Sequence, residues 1–271
     1  GLLKESTTEL FLDEYGKPFA AFKGAGGLLN VWPIRSSTFR QWASKLAYNT
    51  WGKVPYPEAI GSALNTLEGI ATFDGKCHPL AVRVARFDNA IWYDLGDWRA
   101  VKITPHEWTV TASPILFRRF PQQTPQVEPT YGGDIKTFLN FVPLKGTDNE
   151  ILFLTYIVAA LVPGIPQPPI IFHGQQGSAK SFTFRLIKAL LDPAQPYCSS
   201  PPSNIADLVQ YASKHYVAFL DNMSHLPDWL SDALCRLCTG DGFSKRQLYT
   251  DDDDIVYSLR RVTGINGRNL V

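Results

Sequence analysis

The 271 residues carry 26 basic and 25 acidic side chains, a net charge of +1. No global field therefore draws the chain to nucleic acid, and any such contact has to be a local patch. With 45% hydrophobic and 19% charged residues the composition is that of a globular protein, one large domain or two to three small ones, and no apolar run approaches membrane-spanning length. The four cysteines (Cys77, Cys198, Cys235, Cys238) form no disulfide framework and no signal peptide precedes them. A reducing cytoplasm, with no membrane partner, is the expected compartment. Cys235 and Cys238 make a lone C-x-x-C inside a helical pattern, with neither a second pair nor a nearby histidine, so helix packing is the expected role.

Residues 1–30 show no clear period. Ser36 to Tyr48 reads as a capped helix with Phe39, Trp42, Ala43 and Leu46 on one face. Pro57 to Gly69 reads as a second, with Ile60, Ala63, Leu64 and Leu67. The pair fits a small helical or winged-helix element, and Phe39, Trp42 and Trp51 are expected in its core rather than in a base-stacking platform. From Leu80 the period becomes two. Leu80–Phe87, Ala90–Leu95, Trp98–Ile103, Trp108–Thr111 and Ile115–Phe117 read as an antiparallel meander with a turn at Asp88-Asn89. Arg83, Arg86, Arg118 and Arg119 are either a basic surface or a solvated sheet face. Residues 121–129, rich in Pro and Gln, read as a linker. Gly133–Phe141 and Thr147–Val162 then read as two helices, the second strongly apolar with Asp148 and Glu150 in its first turn.

Ile170-Ile-Phe172 is a short apolar run. It is followed by Gly174-Gln175-Gln176-Gly177-Ser178-Ala179-Lys180-Ser181 and a helical pattern through Phe182, Leu186, Ile187, Leu190 and Leu191. Strand, glycine loop, Lys-Ser, helix is the layout of a phosphate-binding loop. The glycines let successive N–H groups face a polyphosphate, and the helix N-terminus adds partial positive charge. Lys180 reaches the β- and γ-phosphates and the Ser181 hydroxyl ligates Mg²⁺. Ala179 stands where glycine is usual. This form is similar to that of replicative helicases of the minichromosome-maintenance type, which implies that nucleotide binding tolerates the alanine.

About forty residues on, His215 to Asp221 is an apolar strand ending in an acid, the Walker B pattern, whose carboxylate would hold the Mg²⁺ shell. Asn222 stands where a catalytic glutamate often does; it can orient a water but not take its proton. Asp232, at the start of a helix expected over Ser231–Cys238, is the candidate for that proton. Asp228 and Asp232 read equally as helix N-terminal residues. Phe243–Thr250 and Ile255–Leu259, around the acidic turn Asp251–Asp254, read as a hairpin, and Arg261 to Asn266 as a strand ending in Asn.

This order of phosphate loop, Asp-ended strand, Thr239-Gly-Asp-Gly242 with Lys245-Arg246, hairpin and Asn-ended strand resembles the ATPase core of superfamily-three and poxvirus-type primase-helicases of the AAA+ class. Asp221 through Leu237 together with Leu248-Tyr249-Thr250-Asp251 resembles most the ATPases of phages and integrated mobile elements. The resemblance covers residues 150–271. It implies an α/β RecA-like P-loop core, residues 166–271, preceded by a helical connector, 129–165, and a helical and antiparallel β-rich accessory region, 1–128. It further implies ATP and Mg²⁺ as cofactors, Asn266 at the γ-phosphate or attacking water, and Lys245 and Arg246 gripping single-stranded DNA in a ring channel. A homo-hexamer, a primase-polymerase partner and a prokaryotic host cytoplasm go with it. Arg246 has a second reading, as a partner of the acidic turn. An arginine finger would follow Asn266, so a chain ending at Val271 is expected to be truncated relative to that family. The implied function is an ATP-dependent replicative DNA helicase or translocase. A non-unwinding switch or loader, or a nucleotide-binding scaffold, are the alternatives.

Overall fold

The structure is a computed structural model that describes residues 1–24, 27–246, 254–268 and 270. The chain divides into two compact units. The first holds residues 1–81, 98–100 and 111–119, and the second holds 82–97, 101–110 and 120–271. Of the residues expected to precede the connector, 82–97, 101–110 and 120–128 thus cluster with the later chain.

In the first unit, α1 (Leu2–Ser6) leads into β1 (Glu9–Leu12), β2 (Pro18–Lys23) and β3 (Leu29–Pro33), followed by α2 (Ser37–Trp51), α3 (Pro57–Phe73) and β4 (Lys76–Cys77). The strands form one sheet in the order β3-β2-β1-β4, with only β4 parallel to its neighbour. Ser36 caps α2 by accepting the Phe39 N–H, and Pro57 opens α3, as the sequence predicts. Phe39, Leu64 and Leu67 bury against Ala20 and Phe22 of β2. Trp42 stacks on Phe22 with ring centroids 4.0 Å apart. Trp51 departs from expectation. It sits at the last position of α2 and is 60% exposed, because the core-facing stripe ends at Ala47.

Then come β5 (Val84–Phe87), β6 (Ala90–Asp94), β7 (Arg99–Ile103) and β8 (Trp108–Ala112), a sheet in sequential order; Arg99, Ala100, Thr111 and Ala112 are counted with the first unit and its other residues with the second. The stretch Ile115–Phe117 is no strand; it makes a single bridge, Phe117 to Ala81. Of the two readings left open for the arginines, neither a shared basic surface nor a solvated sheet face holds for Arg83, Arg118 and Arg119. Arg83 has φ 60°, which breaks the alternation and turns its side chain fully inward. Arg118 pairs with Asp13 and Glu14, and Arg119 lies 4.5 Å over the Trp98 ring, leaving Arg86 as the exposed member. Residues Ile135–Phe141 form a 3₁₀ helix rather than an α-helix, with the Asp134 carboxylate capping the Lys136 N–H.

Next come α4 (Thr147–Ala159), β9 (Ile170–His173), α5 (Lys180–Leu191), α6 (Ile205–Ala212), β10 (Val217–Met223), α7 (Asp228–Thr239), β11 (Gly242–Arg246), β12 (Asp254–Ser258) and β13 (Val262–Gly267). β10, β13 and β9 form a parallel sheet in that order, and Ser199 adds a parallel bridge to Leu220. Period two on β10 sends Val217 and Phe219 to one face, against Phe184, Ile187 and Leu191 of α5 and Phe153 and Ile157 of α4. Ala218 and Leu220 face the other way, against Leu208 of α6 and Leu234 and Leu237 of α7. Both faces are therefore covered, as a parallel sheet requires. The Tyr156 hydroxyl, donating to Thr263 O at 2.6 Å, docks α4 on the central strand. β11 and β12 pair antiparallel, Lys245 opposite Ile255 and Arg246 opposite Asp254, so the expected hairpin is present. No described helix is long and apolar enough to cross a membrane.

Candidate functional site

β9 ends at His173, and the chain turns through residues 174–179 into α5, whose first residue is Lys180. Gly174 (φ 147°) and Gly177 (φ 83°) take conformations that side chains rarely adopt. Ala179 also lies in the left-handed region, φ 60°. The methyl group thus strains the backbone itself, and the glycine it replaces would relieve this. Ala179→Gly is expected to raise stability by about 0.5–1 kcal/mol, the left-handed cost less the extra freedom glycine gives the unfolded chain. Chemical denaturation measures it, and a loss of stability would contradict this account of the loop.

The Lys180 ammonium folds back over the loop, donating to Gly174 O at 2.8 Å, Gln175 O at 2.7 Å and Ser178 Oγ at 3.2 Å. It is partly exposed. The Ser181 hydroxyl donates to Asp221 Oδ1 at 2.7 Å, which joins the first turn of α5 to the carboxyl end of β10. β13 lies between β9 and β10, so Asn266, near its carboxyl end, stands between the loop and Asp221. Asn266 is 1% exposed, and its Oδ1 accepts the Asn222 N–H at 2.8 Å. That bond fixes the amide orientation. Among the described residues the Asn266 Nδ2 has no partner, and an unsatisfied buried donor of this kind is costly unless it serves a ligand.

Asn222 occupies a bulge in β10, where the register to β13 shifts between Leu220 and Met223, and its φ is 62°. Asparagine is among the few residues that tolerate this conformation. The backbone thus supplies its own reason for Asn at this position, where a catalytic glutamate often stands.

The model of the actinomycete integrative conjugative element replication protein family matches residues 135–270, half of the chain, including the loop, Asp221 and Asn266. The chain belongs to this family. It is therefore a replication protein of a mobile element. Among solved structures, two apo forms of the NrS-1 C-terminal region are similar at 13% and 12% identity, with TM-scores of 0.49 and 0.48. They cover 100% and 98% of this chain, which in turn spans 55% of theirs, so it corresponds to about half of their length. No curated protein matches.

Other candidate residues of the replication protein fall elsewhere. α7 begins at Asp228, not Ser231, because Pro227 sets the cap; Asp228 fills the first turn, while Asp232 is an exposed residue of the second. Cys235 and Cys238 lie on α7, exposed and half-buried. Lys245 and Arg246 lie on β11, but their side chains and the turn residues Asp251–Asp253 are outside the described part.

A charged cluster that the sequence reading missed lies at the amino end of the sheet. Asp192, fully buried after α5, accepts from Arg83 Nε at 3.0 Å, Lys188 Nζ at 2.7 Å, and the Tyr216 and Val217 N–H groups at 2.9 and 3.1 Å. Lys188 also reaches His215 Nδ1 at 3.1 Å and Val217 O at 2.6 Å. The Arg83 guanidinium further binds Asp94 O at 3.1 Å and Pro193 O at 3.1 Å. The signal was in the sequence: Lys188 falls on the buried stripe of Phe184, Ile187 and Leu191, a place where a charge survives only with a partner.

Proposed function

We propose that this chain is the ATP-dependent motor of mobile-element DNA replication, a P-loop ATPase of the superfamily-three, AAA+ kind that acts as a ring-shaped helicase or translocase. The observation that carries the reading is the Ser181–Asp221 bond with the Asn266 amide standing beside it. The residues fit a Mg²⁺ nucleotide. Hydroxyl and carboxylate are hard oxygen donors suited to Mg²⁺. The N–H groups of residues 174–179 and the first turn of α5 suit a polyphosphate.

Magnesium, when bound, supplies neutralisation of charge on the β- and γ-phosphate oxygens. The protein's own part is to position. Lys180 exchanges the carbonyls of Gly174 and Gln175 for phosphate oxygens. Ser181 and Asp221 orient the metal's coordination shell. Asn266 Nδ2 donates to the γ-phosphate or to the attacking water, whose oxygen bonds to phosphorus as the bond to the bridging oxygen breaks. Asn222 is unable to accept the water's proton. Asp232 is the proposed acceptor, although it is an exposed residue of α7 outside the Ser181–Asp221–Asn266 arrangement. Assembly as a hexamer would carry Lys245 and Arg246 to single-stranded DNA, with a primase-polymerase as partner in a prokaryotic cytoplasm.

ATP turnover stimulated by single-stranded DNA, with displacement of a strand from a forked duplex, tests the reading. Stimulated turnover without displacement favours the alternative of a switch or loader; ATP binding without turnover favours the scaffold, the reading to which Asn222 lends weight. Replacing Lys245 and Arg246 together with Ala is expected to weaken DNA binding equally across sequences. It should also reduce the salt slope by about one unit per lost phosphate contact while nucleotide binding persists. An unchanged slope would return Arg246 to pairing with the acidic turn.

A further inference from the structure

The first unit carries a concentration of charge that the chain's total conceals. From Tyr15 to Pro57 there is no acidic residue and there are six basic ones, in a chain of net charge +1. Three of the six, Arg40, Lys45 and Lys53, are exposed on α2 and the loop after it, and among the described residues none of them pairs with a carboxylate. The same segment exposes three aromatic rings: Tyr48 (55%), Trp51 (60%) and Tyr56 (81%). At 3.6 residues per turn, Arg40, Tyr48 and Trp51 fall within roughly 80° of one another around α2. Helix α2 has no acidic residue in its first turn or elsewhere.

We infer that α2 and the loop to Tyr56 form a binding surface for single-stranded nucleic acid, separate from the Lys245–Arg246 hairpin. Cations following a backbone beside aromatic faces that accept stacked bases are the two components such recognition needs. The charge selects a polyanion. The rings select one whose bases are unstacked, since in a duplex both faces of each base are already covered. Phe39, Ala43 and Ala47 fill the core-facing side of α2, and the more exposed Trp51 lines a cavity of about 350 Å³ together with Leu3, Ala47, Pro55 and Ile60. The inference does not depend on nucleotide binding by the second unit.

The test uses the full chain and a fluorescein-labelled dT20 strand, read by anisotropy, in a Lys245→Ala/Arg246→Ala background so that the hairpin does not contribute. Tyr48→Ala/Trp51→Ala is expected to weaken binding on the order of tenfold or more. Lys45→Ala/Lys53→Ala is expected to lower the salt slope by about 0.7 unit per phosphate contact. A 20-base-pair duplex is expected to bind more weakly and to be indifferent to Tyr48→Ala/Trp51→Ala. As a check independent of folding changes, dT20 should quench tryptophan emission in the parent chain and less in Trp51→Phe. Equal quenching in the two, unchanged dT20 affinity in the aromatic variant, or a variant that alters only self-association would each overturn the proposal, the last by making the patch an interface between copies.

Discussion

Asp221→Asn is expected to lower Mg²⁺-dependent ATP turnover by roughly 100-fold or more while nucleotide affinity stays within a few-fold. The substitution is nearly isosteric. A carboxamide oxygen still accepts the Ser181 hydroxyl, which now lies 2.7 Å from Asp221 Oδ1, so the junction of α5 and β10 is retained. What disappears is the negative charge that a divalent ion requires of its shell. In the proposed site, phosphate contacts come from the loop and Lys180, which the substitution leaves untouched. Steady-state phosphate release and nucleotide titration on the same variant separate the two effects. Undiminished turnover would remove Asp221 from the proposed site.

The second large effect is on stability. Asp192→Ala is expected to cost about 3–5 kcal/mol, because it leaves two buried cations, Arg83 and Lys188, without their counter-ion. The cluster also sets the response to acid. Burial alone would raise the Asp192 carboxyl, but Lys188 and Arg83 beside it hold it well below the usual carboxylate range. Its contribution is fully present above the unfolded carboxylate value of about 3.9 and fades as pH falls below that. Burial, with Lys188 next to it, pushes the His215 imidazole down to about 3. Between the unfolded value of about 6.5 and that depressed one, the unfolded chain takes up a proton that the folded chain refuses. Stability is therefore expected to fall as pH drops from neutrality, with a limiting slope of about 1.4 kcal/mol per unit from this group. His215→Gln, which keeps an acceptor for Lys188, should flatten that region in denaturant titrations taken from pH 7 to pH 4. An unaltered pH profile would assign the acid sensitivity elsewhere.

The parts of the fold that were legible in the sequence are those where local chemistry is special. Gly174 and Gly177 announce the loop, Ser36 and Pro57 announce two helices, and the alternation from Leu80 announces a meander, whose first strand begins only at Val84. Three strands in residues 9–33 were not legible, because β2 is buried on both faces and so shows no apolar–polar alternation, and pairing partners lie outside the local window. Arg83 was misread because a single φ of 60° reverses which side of the strand it faces. Trp51 was misread because hydrophobicity alone does not reveal that the buried stripe of α2 has already ended at Ala47. In the candidate site, Lys180, Ser181 and Asp221 were named by motif and spacing, and Asn266 by the family resemblance. The bond from Asn222 to Asn266, which orients that amide, depends on the bulge in β10 and has no sequence signature beyond an asparagine.

The central claim is that the loop from Gly174 to Ser181 binds a nucleotide through Lys180. Isothermal titration of MgATP into the full chain and into Lys180→Ala, with thermal unfolding recorded on both, tests it most directly. The account predicts saturable one-site binding by the parent chain, lost in the variant, with the unfolding transition of the ligand-free proteins unchanged because Lys180 bonds only to its own loop. Equal affinity in the two proteins would contradict it.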